Sequence, residues 1–123
     1  MGPMTEHDDQ AAVLRWARAA AVVDRRLDLL FAIPNAGRRS RGAGRWMCAE
    51  GLRRGVPDLC LPVRTAAHGA LWIEMKTATG RVTADQGWWH EQLREQGYRV
   101  EVCRGAAAAI AVLEDYLGMR RGG

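Results

Sequence analysis

Two short apolar runs carry the residues that could do chemistry together. Gly55-Val56-Pro57-Asp58-Leu59-Cys60-Leu61 has a carboxylate near its start, and Leu71-Trp72-Ile73-Glu74-Met75-Lys76 has a carboxylate and an ammonium at its end. An ionised carboxylate in such a run must be paired, bound to a cation or shifted in pKa. The nearest partners are each other and Lys76, which points to a metal site with an attendant ammonium. Two carboxylates and a lysine suit metal-assisted phosphodiester hydrolysis. Magnesium takes oxygen ligands and keeps several waters, so one or two carboxylates, a carbonyl and a substrate phosphate suffice. Asp58 and Glu74 would hold the cation. Lys76 would orient or deprotonate the attacking water and offset charge growing on the phosphate.

The basic residues single out the same lysine. Of 18 Lys and Arg side chains only Lys76 is lysine. Arginine replaces lysine wherever any cation serves, but it cannot supply a compact ammonium whose pKa responds to its surroundings. A sole lysine two residues after Glu74 therefore marks a position where chemistry is expected.

The elements around these residues must bring them together. Apolar runs bounded by Gly and Pro read as strands over 56–63 and 70–76, joined by a short loop, so an antiparallel hairpin turning near 65–69 is the simplest pairing. In that hairpin Asp58, near the start of one strand, faces Glu74, near the end of the other. Glu74 and Lys76 differ by two and share a face, while Met75 points to the core with its carbonyl still beside the site.

Upstream, a helix is expected from Thr5, with Glu6, Asp8 and Asp9 in its acidic first turn and Val13, Trp16, Ala17 and Ala20 on one face. Leu29-Leu30-Phe31-Ala32-Ile33 reads as a buried strand ended by Pro34-Asn35-Ala36-Gly37. A basic loop follows with Arg38, Arg39, Arg41 and Arg45, and Arg53 and Arg54 extend it across a short helix containing Trp46, Met47, Ala49 and Leu52. This segment is either a phosphate-contacting surface or a solvated basic face. Downstream, Thr83 and Gln86 form a capping box for a helix with Trp89, His90, Leu93 and Gln96 at helical spacing, stopped by Gly97. Tyr98, Val100 and Val102 alternate with Arg99 and Glu101 as in a strand with one covered face. A last helix over 106–117 buries Ile110, Leu113 and Leu117.

The totals bound the rest. The 123 residues, 48% hydrophobic and 26% charged, fit one globular domain over 1–123, with its core at about 6–117. The net charge of +4 favours a polyanionic partner. No apolar run is long enough to span a membrane and no leader resembles a signal peptide, so no membrane partner is expected and the chain should stay in the cytoplasm. Cys48, Cys60 and Cys103 lack zinc spacing and read as small buried hydrophobes. His7, His68 and His90 match no ligand pair and read as surface or structural residues.

Gly55-Val56-Pro57-Asp58 followed by Ile73-Glu74-Met75-Lys76 resembles the PD-(D/E)XK nuclease signature. With Glu6, Gln10, Pro34-Asn35-Ala36-Gly37, Gly80, Gln86 and Gly97-Tyr98 in order, the chain resembles the VRR-NUC (virus-type replication-repair nuclease) family in its stand-alone phage-like form. The resemblance implies an α/β, restriction-endonuclease-like core, a mixed central β-sheet flanked by helices, and Mg2+- or Mn2+-dependent cleavage of DNA. It assigns metal binding to Asp58, Glu74 and the Met75 carbonyl, and the catalytic lysine role to Lys76. Glu6 would match a first-helix acid near the metal, or be an ordinary first-turn residue. Gln86 would match a glutamine of the site, or serve its capping box. Glu50 is a further acid whose neighbours fit an ion pair better.

Stand-alone members imply structure-specific endonucleases of replication, recombination or repair. They act as homodimers on branched or four-way (Holliday junction) DNA, in a bacterial or phage-infected cell. Trp72, Trp88 and Trp89 would then either bury in a dimer interface or complete the core. Two other readings stay open: a DNA-binding module with the same fold that does not cleave, and a structural ion-pair cluster. A binding module would gain little from carboxylates facing a phosphate.

Overall fold

The computed structural model describes residues 5–34 and 49–119. Helix α1, Glu6–Ala20, starts at a capping box in which Thr5 Oγ1 accepts from the Asp8 N–H and Asp8 Oδ2 accepts from the Thr5 N–H, both at 3.1 Å. Val13 and Ala17, four residues apart and therefore on one face, are its buried apolar positions; Trp16 and Ala20 are half-buried beside them.

The expected buried strand over 29–33 is instead a 3-10 helix, Arg25–Leu29, followed by a two-residue strand β1, Phe31–Ala32, with both side chains exposed. Leu27 and Leu30 are buried instead. They lie three apart, the repeat of a 3-10 turn, so this apolar run serves a helical period rather than an alternating one. Asp24 caps the turn by accepting from the Arg26 N–H, and Arg26 Nη2 reaches the Leu117 carbonyl at 2.9 Å, which ties the connection to the end of the chain's last helix.

Strands β2, Leu59–Leu61, β3, Leu71–Lys76, and β4, Arg99–Arg104, complete a four-stranded mixed sheet in the order β1-β2-β3-β4. The β2–β3 pair is the antiparallel hairpin expected from sequence, with Leu59 opposite Ile73 and Leu61 opposite Leu71. Its loop closes where Thr65 Oγ1 accepts from the His68 N–H at 3.0 Å. β4 runs parallel to β3, which requires a crossover, and helix α2, Ala84–Glu95, supplies it. Gly97 ends α2 at a φ of +86°, with the Tyr98 N–H donating to Leu93 and the Gly97 N–H to Arg94, a Schellman closure.

Helix α3, Ala106–Leu117, packs with α1 on β3. Its buried positions are Ala109, Leu113, Tyr116 and Leu117, whereas Ile110 is half-buried. With Leu27, Leu30, Leu59, Leu61, Leu71, Ile73 and Met75 they form one apolar core. Because strand side chains alternate, Asp58, Cys60, Trp72, Glu74 and Lys76 point to the opposite face, toward α2. The alternation in β4 predicts one covered face, yet both are covered: Val100 and Cys103, three positions apart, are both buried. α3 covers the second side, where Arg99 pairs with Asp115 at 2.8 Å. Among the described residues no helix is long and apolar enough to cross a membrane.

Candidate active site

Continuing the β2–β3 register one step beyond Leu59 and Ile73 sets Asp58 opposite Glu74. Lys76, two residues on, shares the face of Glu74. All three are buried, with 3%, 0% and 6% of their surface exposed. The Met75 N–H donates to Asp58 Oδ2 at 2.7 Å, so the carboxylate takes the rung that the strand ladder would have placed there. The N–H and C=O of one strand residue point to the same side. The Met75 carbonyl therefore also faces the Asp58 side, while the Met75 side chain is fully buried in the core.

Gly55 sets the approach to Asp58. Its φ of +88° lies in the region glycine favours, and a Cβ there would stand 2.7 Å from the Asp85 carbonyl carbon at the start of α2. That close approach docks the segment leading into Asp58 directly against α2.

From α2, two side chains reach Glu74. Thr83 and Gln86 form the expected capping box, with Gln86 Oε1 accepting from the Thr83 N–H at 2.9 Å and Thr83 Oγ1 accepting from the Gln86 N–H at 3.2 Å. The other end of the same amide, Gln86 Nε2, donates to Glu74 Oε2 at 3.4 Å. Gln86 thus caps the helix and contacts the site at once. His90, expected as a surface or structural residue, is buried with Nε2 at 3.2 Å from Glu74 Oε1. Its signal in the sequence is its place four residues after Gln86, one helical turn along the same face. Burial pushes the His90 pKa down, the Arg94 and Lys76 charges push it further, and Asp58 opposes them. The shift favours the neutral ring, and a tautomer protonated on Nε2 would donate to Glu74 Oε1.

The other expected residues take separate places. Glu6 is half-buried in the first turn of α1, outside the Thr5–Asp8 capping box, and lines a groove of about 730 Å³ with Asp9, Thr77, Thr79 and Arg104. This groove borders the loop that leaves Lys76. Arg104 holds that loop by donating to the Thr77 and Gly80 carbonyls at 2.8 and 2.6 Å. Arg53 and Arg54 are exposed and fastened to α2: the Arg53 guanidinium lies 5.1 Å from the Trp89 ring centre, and Trp89 Nε1 donates to the Arg54 carbonyl at 3.0 Å. Arg38, Arg39, Arg41, Arg45, Trp46, Met47 and Cys48 lie outside the described residues. Glu50 is exposed. Trp72 packs near Tyr98, and Trp88 is half exposed, edge-on to Trp89. Gln96, placed on the helical face by its spacing, is exposed because the α2 stop has already begun there.

Cys60 and Cys103 are buried free thiols, as expected, and burial pushes each up to about 11. Among the described residues no three His, Cys, Asp or Glu side chains gather into an all-protein metal cage. Asp58, Glu74 and the Met75 carbonyl are instead oxygen donors, the kind hard divalent cations take alongside water and substrate.

A family model described as the VRR-NUC domain matches residues 9–107, a span that holds Asp58, Glu74, Lys76, Gln86 and His90. A solved structure described as a VRR_NUC domain protein is 25% identical and similar over 97% of this chain and 93% of that one, with a TM-score of 0.81. No curated protein matches the chain. The chain belongs to the VRR-NUC domain family and is a nuclease-type domain.

Proposed function

We propose that this domain is a divalent-metal-dependent DNA endonuclease whose site is built by Asp58, Glu74 and Lys76. One observation carries the reading: two carboxylates and the chain's sole lysine are buried on one face of the β2–β3 hairpin, with the two acids opposite each other. Two buried like charges repel unless a cation lies between or beside them, and Asp58, Glu74 and the Met75 carbonyl offer the oxygens for Mg2+ or Mn2+. Such a cation supplies Lewis-acid polarisation of the phosphate and acidifies water.

The chain's own groups do the remainder. Lys76 orients or deprotonates the attacking water and offsets charge developing on the phosphate. Gln86 contacts the site through Glu74, which its amide holds in place. Glu6, which lines a groove with Thr77 in the loop after Lys76, is assigned here to water or metal at the rim. Arg53 and Arg54, with Arg38, Arg39, Arg41 and Arg45, hold the DNA backbone by phosphate contacts. The substrate we propose is branched DNA, including four-way junctions, cut by a homodimer, since one small domain carries one site and symmetric cutting of two strands needs two.

The test is cleavage of four-way, flap and linear DNA with Mg2+ or Mn2+, by wild type beside Lys76→Ala and Asp58→Ala. Cleavage by wild type alone supports the reading. Equal nicking by all three means a contaminant. Salt-sensitive binding without cleavage under any condition replaces the nuclease with a DNA-binding module.

A further inference from the structure

Glu74 lies fully buried, and both of its oxygens meet side chains from α2, Gln86 Nε2 on Oε2 and His90 Nε2 on Oε1. These two residues stand four apart on one helical turn, so a single rigid element grips the carboxylate at two points and fixes its plane. We propose that His90 is a positioning residue that, with Gln86, orients Glu74 and thereby sets the affinity of the Asp58–Glu74 site for a divalent cation. The inference rests on the metal-site reading above and adds a residue to it.

The chemistry of the donors supports this. A neutral amide donates an N–H group without adding a positive charge, and an imidazole protonated on Nε2 alone does the same. An arginine or lysine in their place would orient the carboxylate equally well but would repel the cation it is meant to bind. A carboxylate oxygen that accepts one hydrogen bond retains a second lone pair with which to ligate. Loss of a partner that orients a ligating group in this way typically weakens metal affinity about 10–100-fold.

α2 is also anchored independently of His90, through the Thr83–Gln86 capping box, the Gly97 closure and the Gly55 approach. Loss of the imidazole donor therefore leaves the helix in place and removes one of the two points that hold Glu74. Helix docking and carboxylate orientation are separable by experiment.

The experiment is calorimetric titration of the full chain with Mn2+, without DNA, for wild type, His90→Leu, His90→Gln and Glu74→Ala. His90→Leu fills similar space without a donor, and His90→Gln restores a neutral N–H. The expected result is Mn2+ affinity weakened roughly 10–100-fold in His90→Leu, most of it recovered in His90→Gln, and binding lost in Glu74→Ala. Wild-type affinity in a folded His90→Leu, with binding still lost in Glu74→Ala, overturns the role of His90 and leaves the metal site standing. Absence of Mn2+ binding in wild type overturns both. Should His90→Leu fail to fold, a long-range 1H–15N spectrum of wild type decides. A proton on Nε2 supports the grip on Glu74, and a bare Nε2 with the proton on Nδ1 overturns it.

Discussion

The two faces of strand β3 are buried almost equally and built from opposite chemistry. Leu71, Ile73 and Met75 face α1 and α3, and their burial is favourable without any partner. Glu74 and Lys76 face α2, and their burial is unfavourable unless every charge is matched. The first face holds the fold together. The second places ionisable groups where stability alone would have chosen apolar ones, which is the pattern of a site rather than of a core. The capped helix α2, the side chains of Gln86 and His90 on Glu74, and the tight passage at Gly55 all lie on that second face.

The sharpest way to break this contrast is to mutate one face at a time. Lys76→Ala is expected to lower cleavage by about 10²–10⁴-fold with thermal stability held near wild type. A variant that unfolds instead would mean the charged face is structural. Met75→Ala, one residue away on the other face, is expected to lower unfolding free energy by about 2–5 kcal/mol in urea denaturation. At temperatures where it is folded, it should bind Mn2+ as wild type does.

The cysteines offer a probe on each face, Cys60 toward α2 and Cys103 in the core. Each folded pKa is raised from 9.0 to about 11 by burial. A raised folded value means the folded chain holds its protons longer than the unfolded one. Their contribution is therefore complete below pH 9 and is lost as pH rises toward 11, so the melting temperature should fall across that window. Both thiols should resist a disulfide reagent at pH 8 until the chain unfolds. Fast labelling of Cys60 alone would show the α2 face opening independently. The smallest effect expected is that of Thr83→Ala, about 1 kcal/mol from loss of the α2 cap, together with a modest weakening of Mn2+ binding because Gln86 loses its anchor. A stability loss with Mn2+ affinity unchanged would separate the cap from the site.

Much of this was readable from the residues. The hairpin, the convergence of Asp58 with Glu74, and the Glu74–Lys76 face follow from a strand period of two and a short loop. For Gln86, a candidate for cap or site, the structure shows one end of the amide capping α2 and the other reaching Glu74. The spacing of His90 from Gln86 gives a shared helix face but not what that face meets, so its contact with Glu74 is not legible in the sequence. The strand expected over 29–33 failed because Leu27 and Leu30 follow a 3-10 repeat that a short apolar run cannot distinguish from a strand.

What the sequence alone determined is therefore local: the family motif, the period that aligns Asp58, Glu74 and Lys76, and the caps that start and stop α2. What only the tertiary structure decided is which surfaces meet. The direction of β4 beside β3, the covering of both faces of β4, and the docking of His90 onto Glu74 depend on contacts between residues distant in the chain. Local periodicity defines a face. The packing of one element on another decides what that face touches.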